Sequence, residues 1–126
     1  MYQADQLSQY KNQSLTTLTP GEVVVKLFEQ ASKHVRCAII AMEDGDNTKT
    51  NESLFKAQQI FYSLITSLNM QFPVSEQLKP LYQFIIDELV KANIKKDKAV
   101  LTNVLPLIDD FRDTFRQADK LSRVKQ

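Results

Sequence analysis

The stretch LKPLYQFIIDELVKANIKKDKAVLTNVLPLIDDFRDTFRQA, from Leu78 to Ala118, reads as two amphipathic helices joined by a short polar link, Asn93-Ile94-Lys95-Lys96-Asp97. In the first, Leu78, Tyr82, Ile85, Leu89 and Ala92 recur at spacings of four and three. In the second, Leu101, Val104, Ile108, Phe111, Phe115 and Ala118 do the same. Such spacing keeps one stripe of side chains on one side of an α-helix. Asp97 can accept from the free N–H groups that open the second helix, and its charge suits that end of the dipole. Lys95 and Lys96 fall where the first helix exposes its last carbonyls. A link this short turns the chain back on itself, so the two stripes face each other as an antiparallel pair.

Working back toward the start, Thr19-Pro20-Gly21-Glu22 is the sharpest local signal. Thr19 suits an N-cap, Pro20 fits the first helical position, and Glu22 stands where a capping box needs an acid. The helix that follows runs to about Met42, with Val24, Phe28, Ala31, Val35, Ala38 and Met42 in four-three alternation. Glu43-Asp44-Gly45-Asp46-Asn47 stops it, Gly45 supplying the left-handed conformation that helix ends favour. A second long helix starts between Asp46 and Thr50, with Leu54, Ala57, Phe61, Leu64 and Leu68 as its seam, and ends near Met70 ahead of Pro73. Ser75 is placed to cap the third helix. Pro80 either delays that helix or kinks it, and Pro106 removes a backbone hydrogen bond from the fourth, bending it near Thr102–Asn103.

Four seams with short connections predict an all-α fold, an antiparallel four-helix bundle over residues 19–120. Residues 1–18 are polar, rich in Gln and Ser, with Leu7 and Tyr10 on one face of a short segment that would be marginal alone in water. They are read as a mobile N-terminal cap segment, helical or extended, docked on the bundle. Residues 121–126 form a basic tail expected to fray. Of the four seams, Phe28, Phe61, Ile85 and Phe111 are expected in the core.

With 126 residues the chain is long enough for one core without staples. Its single cysteine, Cys37, excludes an internal disulfide and suits a reducing compartment. A balance of 16 basic against 15 acidic residues gives no electrostatic footprint for nucleic acid. The opening MYQADQLSQYKNQ lacks the layout of a signal peptide, and no apolar run approaches a membrane span, so no membrane insertion and a cytoplasmic location are expected.

The bundle has more apolar residues than its seams need. Phe55 and Tyr62, seven apart, lie to one side of the second seam with Ile65 beside it. On the third helix Ile86 and Val90 continue outward from Tyr82, and Val100 and Leu107 flank the fourth seam. Globular helices bury three or four positions in every two turns, which absorbs part of this surplus. As a set, Phe55, Tyr62, Ile65, Tyr82, Ile86 and Val90 point to a groove that binds a partner.

Catalytic chemistry is missing. No nucleophile–base motif, paired carboxylates or glycine-rich phosphate loop occurs, and zinc spacings are absent, so neither catalytic residues nor metal or cofactor are expected. Asp109-Asp110-Phe111-Arg112-Asp113 reads as a solvated charge cluster with an Asp109–Arg112 or Asp109–Asp113 neighbourhood. Histidine phosphotransfer domains are also four-helix bundles, but they place a lysine and a glycine just downstream of their histidine. Here His34 is followed by Val35, Arg36, Cys37 and Ala38, and a plain helix-surface histidine is the simpler reading.

Taken in order, Met1-Tyr2-Gln3, the Leu7–Tyr10 pair, Thr19-Pro20 with Val24-Val25-Lys26-Leu27-Phe28-Glu29, Glu43-Asp44-Gly45-Asp46, Ala57-Gln58-Gln59-Ile60, Leu68-Asn69, Leu81-Tyr82-Gln83-Phe84, Leu89-Val90-Lys91-Ala92-Asn93 and Arg112-Asp113-Thr114-Phe115 resemble the flagellar export chaperone family FliS over nearly the whole chain. Departures are few: Phe115 stands where tryptophan is common, and Pro106 interrupts a helix usually free of proline. The resemblance implies a non-enzymatic cytoplasmic chaperone. Such a protein binds the disordered C-terminal segment of flagellin, prevents premature polymerisation and keeps it competent for secretion. It further implies that Leu7 and Tyr10 cover part of the apolar surface when no client is bound. Flagellar export gate components are implied as further partners, and the chain as a monomer or weak homodimer. An adaptor for some other amphipathic helix would have the same sequence physics.

Overall fold

The computed structural model describes residues 18–124. Among them are four helices: α1 (Pro20–Glu43), α2 (Asn47–Thr66), α3 (Pro73–Lys95) and α4 (Lys98–Val124). Helix α1 packs against α2 and α4, and α3 closes the square by packing against the same two. Each helix follows its predecessor after a short turn, so sequence neighbours run antiparallel, as the four seams predict.

The turns explain themselves chemically. Thr19 caps α1, its Oγ1 accepting from the Glu22 N–H at 3.1 Å and donating to the Glu22 carboxylate at 3.2 Å. Pro20 occupies the first helical position, where its missing N–H costs nothing. At the other end Gly45 has φ 71°, its N–H reaching Met42 O at 3.1 Å, while the Asp46 N–H reaches Ala41 O at 2.9 Å. Those two bonds close α1 in a Schellman turn. Asp46 then caps α2 by accepting from the Lys49 N–H at 3.0 Å. Asp97 does the same for α4, accepting from the Ala99 N–H at 3.0 Å. Lys96, the last residue before it, adopts φ 49° without being glycine. Its ammonium holds that turn by donating to Asn93 O at 2.9 Å and to Asn51 Oδ1 on α2 at 2.6 Å.

Several boundaries differ from the sequence expectation. Helix α2 stops at Thr66, before Met70, and the Ser67 hydroxyl bonds back to Leu64 O at 2.9 Å. Ser75 does not cap α3. Proline's fixed φ suits a first helical turn, so the helix opens at Pro73 with Phe72 before it. Ser75, buried in that first turn, donates to Asn69 O at 2.7 Å and so clasps the α2–α3 loop. Pro80 therefore lies inside α3, and Pro106 inside α4. Both are on exposed faces, where the carbonyl each leaves without a partner can meet water, and both helices run on through them. Helix α4 also continues to Val124, so residues 121–124 of the tail expected to fray are helical. Leu7 and Tyr10, with the rest of the expected cap segment up to residue 17, lie outside the described residues.

The core is the four seams. Phe28, Ala31, Val35 and Ala38 meet Leu54, Ala57, Phe61 and Leu64, then Tyr82, Ile85, Leu89 and Ala92, and finally Leu101, Val104 and Ile108. Phe28 touches aromatic rings from each of the other helices, with centroids 6.1 Å from Phe61, 6.0 Å from Tyr82, 5.6 Å from Phe111 and 5.3 Å from Phe115. Phe111, expected in the core, is only half-buried at its edge, and Ala118 is exposed. Helices α1 and α4 meet closely near their N- and C-terminal ends, where a Cβ at Gly21 would require the Asp119 carboxylate to shift.

Burial pushes the Tyr82 phenol up to about 12 from its ordinary 10.0. Below pH 10 both folded and unfolded chains keep the proton, so nothing is lost; between about 10 and about 12 only the unfolded chain releases it, and stability falls. Two units of separation correspond to roughly 2–3 kcal/mol. In chemical denaturation across that range, the unaltered protein should lose about this much stability relative to Tyr82→Phe. Parallel curves for the two proteins would refute the assignment.

Candidate functional site

Helix α3 is flanked by a groove on each side. Toward α2 the lining is Tyr62, Ile86, Asp87, Val90, Lys91, Ile94 and Lys95, around a volume of about 370 Å³. Further along the same seam Asn51, Glu52, Phe55, Gln58 and Asn93 surround about 390 Å³. Toward α4 a smaller notch of about 70 Å³ is lined by Phe84, Glu88, Asn103, Val104 and Leu107.

Antiparallel packing explains why these residues meet. Phe55 and Tyr62 are two turns apart on α2 and lie on the same side. The pocket beside Phe55 is lined by Asn93, and the one beside Tyr62 by Ile86, the same two-turn interval measured in the opposite direction. The result is an apolar row along the outer seam, with Phe55 60% exposed, Tyr62 45% and Ile94 79%. Burying a side chain of this kind is worth about 1.5–3 kcal/mol. Sharing one seam, these residues form a patch rather than the scatter normal for a surface.

The six groove residues expected from sequence do not all sit there. Phe55, Tyr62 and Val90 lie on the surface of the α2–α3 seam. Ile86 is 1% exposed and forms the groove floor. Ile65 is half-buried against the core. Tyr82 does not belong to the groove: it is 1% exposed, with Phe28, Phe61 and Phe111 around its ring. It was already a member of the third seam, and a seam residue cannot also face outward. Two signals were missed. Ile94 counts as part of a polar link when α3 is ended at Asn93, yet Ile86, Val90 and Ile94 form an unbroken row of fours. Leu81 and Phe84, both exposed, stand three apart on the α4 side of the same helix.

What holds the remaining helices together differs in kind. From one end to the other, α1 and α4 are tied by Glu43–Lys98 at 3.3 Å, Arg36–Asp109 at 2.7 Å, Glu29–Arg116 at 2.8 Å and Glu22–Arg123. The buried Ser32 hydroxyl adds a bond to Asp109 at 2.6 Å. The 109–113 cluster therefore does more than face solvent: Asp109 joins two helices. Among the described residues α3 has no ion pair to another helix, only the Lys96–Asn51 hydrogen bond and apolar packing. Helix α2 has no ion pair to another helix among the described residues either, so both walls of the α2–α3 seam are held by apolar packing and that one hydrogen bond.

No group of His, Cys, Asp and Glu among the described residues could hold a metal ion, and no helix among them is long and apolar enough to cross a membrane. His34 is half-buried on α1, and its pKa is lowered by burial first and then by Lys56 and Lys33.

Comparison with known proteins gives a consistent answer. The family model described as "Flagellar protein FliS" matches residues 2–122. The chain is 37% identical over 114 residues to the flagellar secretion chaperone FliS of Bacillus subtilis, covering 90% of this chain and 86% of that one. It is 28% identical over 105 residues to the protein of the same name from Vibrio cholerae, with 82% and 77% covered. For the Salmonella typhimurium protein, also of that name, identity is 25% over 124 residues, with 93% and 92% covered.

The half-buried, cation-flanked position of His34 sets a pH dependence. Because its folded pKa lies below 6.5, its contribution to stability is present above pH 6.5 and is lost as pH falls below that value. Stability of the unaltered protein should therefore drop relative to His34→Gln between neutral and mildly acid pH, as read by denaturant midpoints. Partner binding at neutral pH should be the same for both. A variant that folds normally but loses all function would overturn a purely structural His34.

Proposed function

The chain belongs to the FliS family of flagellar secretion chaperones, and we propose that it binds the disordered C-terminal segment of flagellin in the cytoplasm. Masking that segment prevents premature polymerisation and keeps the client competent for secretion. The observation that carries this reading is the apolar row of Phe55, Tyr62, Val90 and Ile94 along the α2–α3 seam, on a bundle whose core is already complete beneath it. The relatives named above are secretion chaperones, and a chaperone needs a surface to bind with, not a reaction centre.

Energetics favour a client spread over more than one groove. Ordering a disordered chain costs about 1–2 kcal/mol per residue of backbone. One short row of apolar contacts offsets only a few residues at that rate. The notch beside Phe84 on the far side of α3 offers a second set of contacts, so a segment that passes over α3 can use both flanks. No nucleotide is required, because burial of the client's own apolar face drives the association. Leu7 and Tyr10 act as a movable cover over part of this surface in the free protein, and export gate components form a second class of partner.

Titrating the C-terminal segment of flagellin into the protein by calorimetry tests the assignment. Phe55→Ala with Tyr62→Ala should weaken binding by at least about tenfold, since buried aromatic anchors dominate most interfaces. Thermal stability should hardly change, because both rings are exposed in the free protein. Undiminished affinity would remove the α2–α3 seam from the interface. For the cover, competition lowers apparent affinity by the docked fraction, so deleting residues 1–18 should tighten binding and make the free protein less soluble. A loss of affinity would make the segment a clamp instead.

A further inference from the structure

Helix α3 begins without the device that opens the other three. Thr19, Asp46 and Asp97 each place a side-chain oxygen on a free N–H of the helix that follows. Phe72, in the same position before α3, offers none. Only the Glu76 carboxylate, in the first turn, suits the positive pole there. Two turns in, Pro80 has no N–H to give to Glu76 O, so the backbone ladder is interrupted at that point.

Packing changes at the same place. Tyr82, Ile85, Ile86, Leu89 and Ala92 are at most 1% exposed. Across residues 73–81 only Ser75 is buried and only Leu78 is half-buried, packed on the core one turn ahead of Tyr82. Val74, with Met70 and Phe72 in the loop before it, is exposed. Among the described residues no side chain of 73–81 makes an ion pair or a hydrogen bond to another helix. Asn69 gathers the bonds instead: its carbonyl accepts from the Ser75 hydroxyl at 2.7 Å and the Phe72 N–H at 3.1 Å, and its Oδ1 from the Gln71 N–H at 3.0 Å. Loop and first turns are therefore tied to each other rather than to the bundle. Beside them lies a cavity of about 450 Å³ lined by Met70, Glu76, Lys79, Pro80 and Gln83.

We infer that residues 69–79 form a hinged flap, strung between Leu68, which packs on the core, and Pro80, about which it turns. The bonds to Asn69 make it move as one unit, and Leu78 is the catch that seats it. Helix α3 from Tyr82 onward stays folded, because its apolar face is fully buried. Opening lifts one half-buried side chain from the core and breaks few backbone bonds, which puts it at the low end of local opening free energies. The starts of the other helices, each capped, have no counterpart. The flap confines shape change to the loop end of the bundle, and it does not rest on the client-binding reading above.

Native-state hydrogen exchange on the full chain, read residue by residue, tests the flap. Amides of residues 77–79 should exchange at least about tenfold faster than amides at the same depth in α1, α2 and α4. Equal rates at matched depth would reduce the flap to ordinary fraying of a helix end and overturn the inference. Pro80→Ala restores the donor to Glu76 O, so it should slow those amides by about tenfold or more; unchanged rates would overturn the hinge. Leu78→Ala removes the catch and should speed them several-fold, and a variant as slow as the unaltered protein would overturn that role. Glutamate-specific proteolysis of the native chain gives an independent readout on the same helix. Within α3 the first cut should follow Glu76, and a first cut after Glu88 would contradict a flap that ends at Pro80.

Discussion

At the level of Phe28, side chains from all four helices meet around one ring. Phe61 comes from α2, Tyr82 from α3, and Phe111 and Phe115 from α4, none with its centroid more than 6.1 Å from that of Phe28. Aromatic contacts of this kind add about 0.5–1.5 kcal/mol each beyond the area they bury. They also fix register, because a helix that slid by one turn would take its ring out of the cluster. The small residues Ala31, Ala38 and Ala57 let the helices approach closely next to it. Everything on the surface, the grooves beside α3 included, inherits its geometry from this arrangement.

Around that core the bundle is fastened unevenly. The ion pairs between α1 and α4 run the length of the molecule. Exposed pairs contribute little singly, typically under about 1 kcal/mol, but several in line with a buried Ser32–Asp109 hydrogen bond define one orientation. On the opposite side α3 relies on Tyr82, Ile85, Ile86, Leu89 and Ala92. Contacts of that kind are strong but undirected, which leaves the flanks of α3 free to exchange solvent for another apolar surface. Rigidity and adaptability are thus assigned to opposite faces of one small bundle.

Much of this was legible in the chain itself. Periodicity located all four helices, because a stripe repeated at three and four has one physical meaning at this length. Thr19, Gly45 and Asp97 marked their boundaries correctly, since each supplies a hydrogen bond or a backbone conformation that the helix end requires. Errors arose where one residue could play two parts. Ser75 can cap a helix or clasp a loop, and Pro73 decided between them by opening the helix first. Tyr82 can serve a core or an aromatic surface, and only the positions of Phe28 and Phe61 settle which. Ile94 was hidden because helix ends are read from polar residues, and Lys95 and Lys96 drew the boundary too early. The cross-helix partners of Asp109 could not be read from one helix, as Ser32 and Arg36 lie more than seventy positions away.

The shape of the α2–α3 seam bears on how a bound segment would leave. The seam is a shallow trough, open to solvent along its side, rather than a closed tunnel. A chain lying in such a trough need not break all its contacts at once. Pulled from one end, it peels away turn by turn, and each turn released exposes the next. The force required is then set by a single turn, while the resting affinity is set by the sum of all turns. Tight holding and easy stripping are compatible in this geometry, provided that the pull comes along the groove from an end.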